Sequence, residues 1–399
     1  MASVFNSVDT WRSECGDLFF VGSQESILYD VGRIQKRLGD EPYRSASMLA
    51  WRMMDVEGFF SRFVAHAGLA QAVLQKSIQV NTDDRNLLEF AFARTVGRKT
   101  GFNTESVAEI AQQEGYEMPQ TENGELDSET LADRRASLAV LQGVKEIGVT
   151  SGTDGVRART AAKVAGINED WPGVLRHWRT QTNEPSDLVE ILLLARAAAK
   201  TGDEQASDYI KRLHTLRPSE GEAMLAHYLA ARGMVAESVV CLDQAMRAWQ
   251  TDPWPPTDLI GECLTLAKML PLQQNTRTAL LRLNETMATP FAVALADRER
   301  VLVHVDIARK LDGDTPSKLT REALQELEPS FPWDASLLAM RADCYEATKD
   351  ARAALARREQ ERYSRNEARR FQYATRSERP LLGVMPVQAR ERPGASQPR

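Results

Sequence analysis

Residues 185–218, PSDLVEILLLARAAAKTGDEQASDYIKRLHTLRP, and residues 219–253, SEGEAMLAHYLAARGMVAESVVCLDQAMRAWQTDP, decide the fold. Pro185, Pro218 and Pro253 stand 33 and 35 residues apart. Each falls where one pair of helical runs closes and the next opens, because proline cannot continue a helix interior. Within each span a glycine, Gly202 or Gly233, separates two helical runs, and Gly166 holds the same place one unit earlier. Ala206 and Ala236 follow, small residues where two helices must approach closely. Apolar residues then recur at helical spacing: Ile210, Leu213 and Leu216 in one unit, Val239, Leu242, Met246 and Trp249 in the next.

Working outward, Pro290 and Pro329 continue the punctuation at spacings of 37 and 39, and Leu337, Ala342, Tyr345 and Ala354 mark a last unit. A period near 34 with the order helix, glycine, helix, proline is the pattern of a tetratricopeptide-like α-solenoid. The units are degenerate, with a short glycine-to-alanine offset and Leu or Ala at aromatic positions. After Tyr373 the chain turns to Arg, Pro, Gly, Ser and Gln, which predicts a disordered basic tail.

Upstream the reading changes to β. Val8 to Glu14 alternates as a half-buried strand does, and Cys15-Gly16-Asp17 supplies a tight turn. Leu18 to Val21 is apolar on consecutive positions, the pattern of a strand covered on both faces. No other strong strand is evident, and an isolated hairpin is marginal in water. The hairpin therefore packs on its own helices or joins a sheet on another chain. Helices follow from Leu28, with Val56, Phe59, Phe60, Phe63 and Val64 forming one apolar stripe. Residues 116–127 read as a polar linker, and Ser128 as the N-cap of a helix carrying Leu131, Leu138 and Leu141.

The formal charge of −6 and pI near 5.6 argue against a general nucleic-acid binder. Residues 351–399 carry 12 Arg and 5 Glu, a net of +7, so the preceding 350 carry −13. The Arg-rich helix expected from Arg352 to Arg370 could touch RNA or acidic lipid, but its interleaved Glu359, Glu361 and Glu367 favour a solvated terminal helix. Cys15, Cys241, Cys263 and Cys344 are too scattered for a disulfide framework, which fits reduced thiols in the cytosol. No signal peptide is read in Met1 to Ser7. Leu188 to Ala199 is too short to span a bilayer and contains Glu190 and Arg196.

The search for chemistry returns little. His66, His177, His214, His227 and His304 are never three or four residues apart, so core or surface roles are expected rather than a metal site. No G-x-x-x-x-G-K-[ST], G-x-G-x-x-G or G-x-S-x-G occurs, and no cysteine has a histidine nearby in sequence. The one segment singled out is Asn81, Thr82, Asp83, Asp84 and Arg85. Its paired carboxylates could bind a cation or supply a base, or could cap the helix that begins near Arg85.

The run Asp9-Thr10-Trp11-Arg12, then Gly16-Asp17-Leu18-Phe19-Phe20-Val21-Gly22-Ser23, resembles the last hairpin of bacterial spermidine synthase-like proteins. Asn81 to Arg85 with Leu88-Glu89-Phe90 resembles the segment closing their catalytic domain, in long members that carry helical repeats after it. The resemblance implies the C-terminal edge of a doubly wound nucleotide-binding domain that transfers an aminopropyl group from decarboxylated S-adenosylmethionine to a polyamine. The family's glycine-rich and acidic catalytic loops would lie upstream, and this chain has neither, so no catalytic role passes to Asp83 or Asp84.

The expected architecture is mainly α: an α-solenoid of tetratricopeptide-like helix pairs preceded by a small α+β remnant of a nucleotide-binding domain. Residues 1–105 are the domain edge, 106–152 a linker with connecting helices, 153–372 the repeats and 373–399 the tail. The expected function is a cytoplasmic interaction scaffold that binds a protein partner in the repeat groove, with no cofactor. The alternative is the C-terminal component of an aminopropyltransferase-like enzyme whose catalytic half is a separate polypeptide.

Overall fold

The computed structural model describes residues 1–13, 16–76, 104–144 and 153–366. Among these the chain is mainly helical, with 18 α-helices and a small sheet of few strands. It divides into two compact units, Met1–Glu299 and Arg300–Arg399.

The first unit opens with the expected hairpin, β1 (Ser7–Arg12) and β2 (Leu18–Ser23), paired from Ser7↔Ser23 to Arg12↔Leu18. Strand β3 (Tyr29–Asp30) follows, then helices α1 (Val31–Gly39), α2 (Tyr43–Ala50) and α3 (Val56–Phe60). The apolar stripe expected as one helix breaks here. Helix α3 ends at Phe60, and Phe63–Ala65 forms β4, antiparallel to β1 with Trp11 opposite Phe63. The reason is the demand of Trp11, whose ring meets Phe59 and Phe63 edge-on, each with centroids 5.1 Å apart. Bringing both into reach requires the chain to turn at Ser61–Arg62, where the Arg62 carbonyl accepts the Arg12 N–H at 2.9 Å.

The sheet order is β2–β1–β4, which reverses the expected burial of the hairpin. Strand β1, expected half-buried, is the central strand and is buried from Ser7 to Trp11. Strand β2, expected to be covered on both faces, is at the edge and exposes Phe19, Phe20 and Val21.

Helices α4 (Ala67–Lys76) and α5 (Thr104–Gln113) pack beside β4 and β1. Residues 116–127 are a packed connection. The Tyr116 carbonyl accepts the His66 N–H at 2.9 Å, the Gln120 carbonyl accepts the Tyr29 N–H at 2.9 Å, and β5 (Thr121–Glu122) runs parallel beside β3. Asp127, rather than Ser128, caps α6 (Ser128–Gln142), and Leu131 of that helix joins Trp11, Val31, Val56, Phe60 and Phe63 in one core.

Then come α7 (Asp154–Ile167), α8 (Trp171–Trp178), α9 (Leu188–Thr201), α10 (Ala206–Leu216), α11 (Pro218–Ala231), α12 (Val235–Trp249), α13 (Thr257–Met269) and α14 (Arg277–Met287). From α6 to α13 each helix packs on the next, and α9 also packs on α11, α11 on α13, and α12 on α14. Gly202 and Gly233 end helices in the left-handed conformation at φ 67° and 75°, which glycine adopts without steric cost. Gly166 does not hold that place. It lies inside α7, where a Cβ would collide with the Leu193 side chain, and Glu169 at φ 57° lies in the turn instead. Ile210, Leu213, Val239, Leu242, Met246 and Trp249 are all buried, as their spacing predicts.

The second unit takes over within α15 (Asp297–Asp312) and continues with α16 (Lys318–Gln325), α17 (Ala335–Ala347) and α18 (Ala353–Asn366). Its core joins Val305, Ala308, Leu324, Ala342, Tyr345 and Ala356. Of the two outer positions expected for this unit, Leu337 is half-buried beside the buried Leu338, and Ala354 is exposed while Ala356, two positions on, is buried. No described helix is long and apolar enough to cross a membrane.

Candidate functional site

Three places in the first unit gather the features that could act on another molecule. The segment Asn81 to Arg85 lies outside the described residues, so the candidates come from the fold itself.

The first is the β2 edge. β2 hydrogen-bonds to β1 on one side, and no described strand flanks the other. Phe19, Phe20 and Val21 are 42%, 51% and 41% exposed. From Leu18 to Ser23 the strand carries no charge and no proline, the usual devices that keep an edge from pairing. Its neighbour β1 is anchored by Asp9, whose buried carboxylate accepts the Tyr29 hydroxyl at 2.8 Å, while that hydroxyl accepts the Trp11 indole N–H at 3.2 Å. Burial raises the Asp9 carboxyl above its ordinary range, only partly opposed by the Tyr29 hydrogen bond and His66.

The second is a buried charge network where α6, α7 and the start of α9 meet. Lys163 Nζ lies 2.6 Å from Asp133 Oδ1 and 3.0 Å from Glu190 Oε1. Arg159 reaches Glu190 at 2.6 Å and Asp133 at 3.0 Å. Arg134 binds Asp55 at 2.7 Å, Asp133 at 2.9 Å and Asp187 at 3.3 Å. Local capping places the last two acids: Asp187 caps α9 by accepting the Glu190 N–H at 2.7 Å, and Glu190 accepts the Ser186 N–H at 2.9 Å.

The carboxylate oxygens of Asp133, Asp187 and Glu190 lie within 4.8 Å of one another, close enough to hold a metal ion. The chain's own cations already stand among them: Arg134, Arg159 and Lys163 pair with these three acids, and Arg134 with Asp55 as well. Burial alone would raise the Glu190 carboxyl, but Lys163 and Arg159 outweigh it and bring it down to about 2. Asp187 moves the other way, raised by burial and by the Glu190 charge, with Lys163 and Arg134 offsetting only part.

Against this network lies a polar cleft of about 210 Å³. Asp127, Glu129, Thr153, Asn183 and Ser186 stand exposed at its rim, and Asp133, Arg134 and Arg159 line its inner wall. One oxygen of Asp127 accepts the Thr130 N–H at 2.7 Å, and one of Glu129 accepts the Thr153 hydroxyl at 2.7 Å. Neither rim carboxylate has a cationic partner among the described residues.

The third place is the contact of α11 with α13, where the fold brings together a cysteine and a histidine that are far apart in sequence. Cys263 Sγ lies 3.9 Å from His227 Nε2, although 36 residues separate them. The pair is not poised for nucleophilic catalysis. Burial lowers the imidazole to about 4 and pushes the Cys263 thiol far above its ordinary range, so the sulfur stays protonated.

Nothing in the spacing of Asp133, Arg134, Arg159 and Lys163 announces a network, because their partners come from other helices. The one legible signal was Glu190, a charge inside the most apolar run of the chain. No family model, curated protein or solved structure matches this chain.

Proposed function

We propose that the chain is a protein-interaction scaffold, in which stacked helix pairs carry a sheet whose edge strand β2 takes an extended strand from a partner polypeptide. The observation that carries this reading is the exposure of Phe19, Phe20 and Val21 in consecutive positions on an uncharged edge strand. An edge strand presents unpaired backbone donors and acceptors, and strand addition satisfies them while covering the neighbouring side chains. The packing of each helix on the next from α7 to α13, with α7 on α9, α9 on α11, α11 on α13 and α12 on α14, supports a tetratricopeptide-like stack in residues 154–287, whose groove offers a second contact surface.

The test is a photo-reactive phenylalanine analogue placed at position 20 in cells. A discrete adduct with another polypeptide is expected, and it should disappear in the background of Phe19→Lys with Val21→Lys, which alters only exposed side chains. An adduct pattern indifferent to the two lysines, or no adduct, removes the reading.

The same open edge supports the alternative, in which the partner is the catalytic half of a spermidine synthase-like aminopropyltransferase. That version expects no binding of decarboxylated S-adenosylmethionine or methylthioadenosine by this chain alone, and binding once the partner is joined. Calorimetry with both nucleosides separates the two.

A further inference from the structure

The cleft between α6, α7 and the start of α9 has a charge pattern that the buried network leaves unexplained. Arg134, Arg159 and Lys163 are paired with Asp55, Asp133, Asp187 and Glu190, so the wall carries no excess of positive charge. Two acids stand at the rim, Asp127 and Glu129, each meeting an uncharged donor, Thr130 or the Thr153 hydroxyl, and neither with a cationic partner among the described residues. Hydrogen bonds from Thr130 hold the Asp127 carboxyl below its ordinary range, so it stays ionised at neutral pH.

Arg159, which lines the same cleft, keeps one donor nitrogen unspent. Arg159 spends Nε and Nη2 on Glu190, Asp133 and Ser186, while Nη1 makes no hydrogen bond among the described residues. Its guanidinium carbon lies 5.7 Å from the centre of the Trp178 ring, which fixes its orientation. An unspent guanidinium nitrogen matches a carboxylate oxygen.

We propose that this cleft binds a small zwitterion of the α-amino-acid class, its ammonium held by Asp127 and Glu129 and its carboxylate by Arg159 Nη1. A simple anion would face the two rim carboxylates, and a simple amine would leave the Arg159 nitrogen unmatched. At about 210 Å³ the cleft is smaller than the roughly 300–1,000 Å³ of pockets for drug-sized ligands, which suits a molecule of amino-acid size. Val156 supplies an apolar patch in the wall for a short side chain.

The experiment is calorimetry on the full chain with each of the common amino acids at about 10 mM, enough to detect millimolar affinity. The best binder is then compared with its amine lacking the carboxylate and its acid lacking the amine. One member of the panel should bind, and each truncated analogue should bind at least about tenfold more weakly. The double variant Asp127→Asn with Glu129→Gln should lose about tenfold in affinity. Its unliganded thermal midpoint should be preserved, because asparagine still caps α6 and both side chains are exposed. Arg159 is not used as the variant, since its loss would leave Glu190 buried without that partner. Absence of binding across the panel, an amine that binds as tightly as its parent, or a double variant with unchanged affinity each overturns the proposal.

Discussion

Two stretches of this chain are conspicuously apolar in sequence, Leu18 to Val21 and Leu188 to Ala199, and the fold treats them oppositely. Helix α9 is enclosed by α6, α7, α8, α10 and α11, and Leu188, Leu194, Ala195, Ala197, Ala198 and Ala199 have no exposed surface. Even its three charges are answered, Glu190 by Lys163 and Arg159, Arg196 by Asp258 at 2.7 Å and Lys200 by Glu262 at 2.8 Å. Among the described residues strand β2 has one strand neighbour, and three consecutive large residues are exposed. Apolarity states what a segment would gain from burial, about 25 cal/mol per Å². Whether the chain itself delivers that gain depends on how many elements surround the segment. In α9 the gain is realised in folding; in β2 the described residues leave three large side chains exposed.

The sharpest test of that contrast is Glu190→Ala. Removing one partner of a buried ion network leaves Lys163 and Arg159 without it, and a loss of about 3–5 kcal/mol is expected in chemical denaturation of the first unit. A loss below about 1 kcal/mol would mean that the network relaxes into water and that α9 is less enclosed than its burial indicates.

Leu194→Ala should cost about 2–5 kcal/mol by the same measurement, since the side chain is fully buried and neighbouring helices close only part of the cavity. A cost well below that range would show that the helix stack collapses around the deletion.

Acid should act on α9 and spare β2. Glu190 has its carboxyl at about 2 in the folded chain against 4.5 for the free group. It therefore contributes stability above pH 4.5 that is lost as pH falls from 4.5 toward 2, about 2 kcal/mol of it by pH 3. Asp187 is raised rather than lowered, so its protonation returns part of that loss. Denaturation at pH 3 and pH 7 should show the difference for the parent chain and not for Glu190→Ala.

The smallest effect on folding belongs to Phe20→Lys. At 51% exposure it should change stability by no more than about 0.5 kcal/mol, while abolishing the partner adduct expected at this edge. A folding loss comparable with that of Leu194→Ala would mean that β2 is a core strand after all and would end the contrast.

The helical character of residues 154–287 was legible because proline, glycine and a period of three to four act within a few residues of one another. Gly202, Gly233, Pro218 and the stripe from Val239 to Trp249 stand where that reading placed them. Gly166 misled because glycine serves two purposes, ending helices and letting them touch, and only the neighbour Leu193 shows which one applies. The run from Val56 to Val64 misled in a similar way, since residues with helical spacing can equally supply a short helix and then a strand. The choice was made by Trp11, some fifty positions earlier. Of the candidate site, Glu190 was visible as a charge out of place, but its partners were not.

What the sequence determined by itself was therefore local: which segments are helical, where most of them stop, that the chain begins with a hairpin, and that its apolar runs need cover. The tertiary structure decided which strand is central, which histidine meets which thiol, and how the charges of Asp55, Asp133, Arg134, Arg159, Lys163, Asp187 and Glu190 pair with one another. Those outcomes depend on distances between residues tens of positions apart. Backbone propensity and capping act over one or two turns, whereas burial and charge pairing are settled only when separate elements pack.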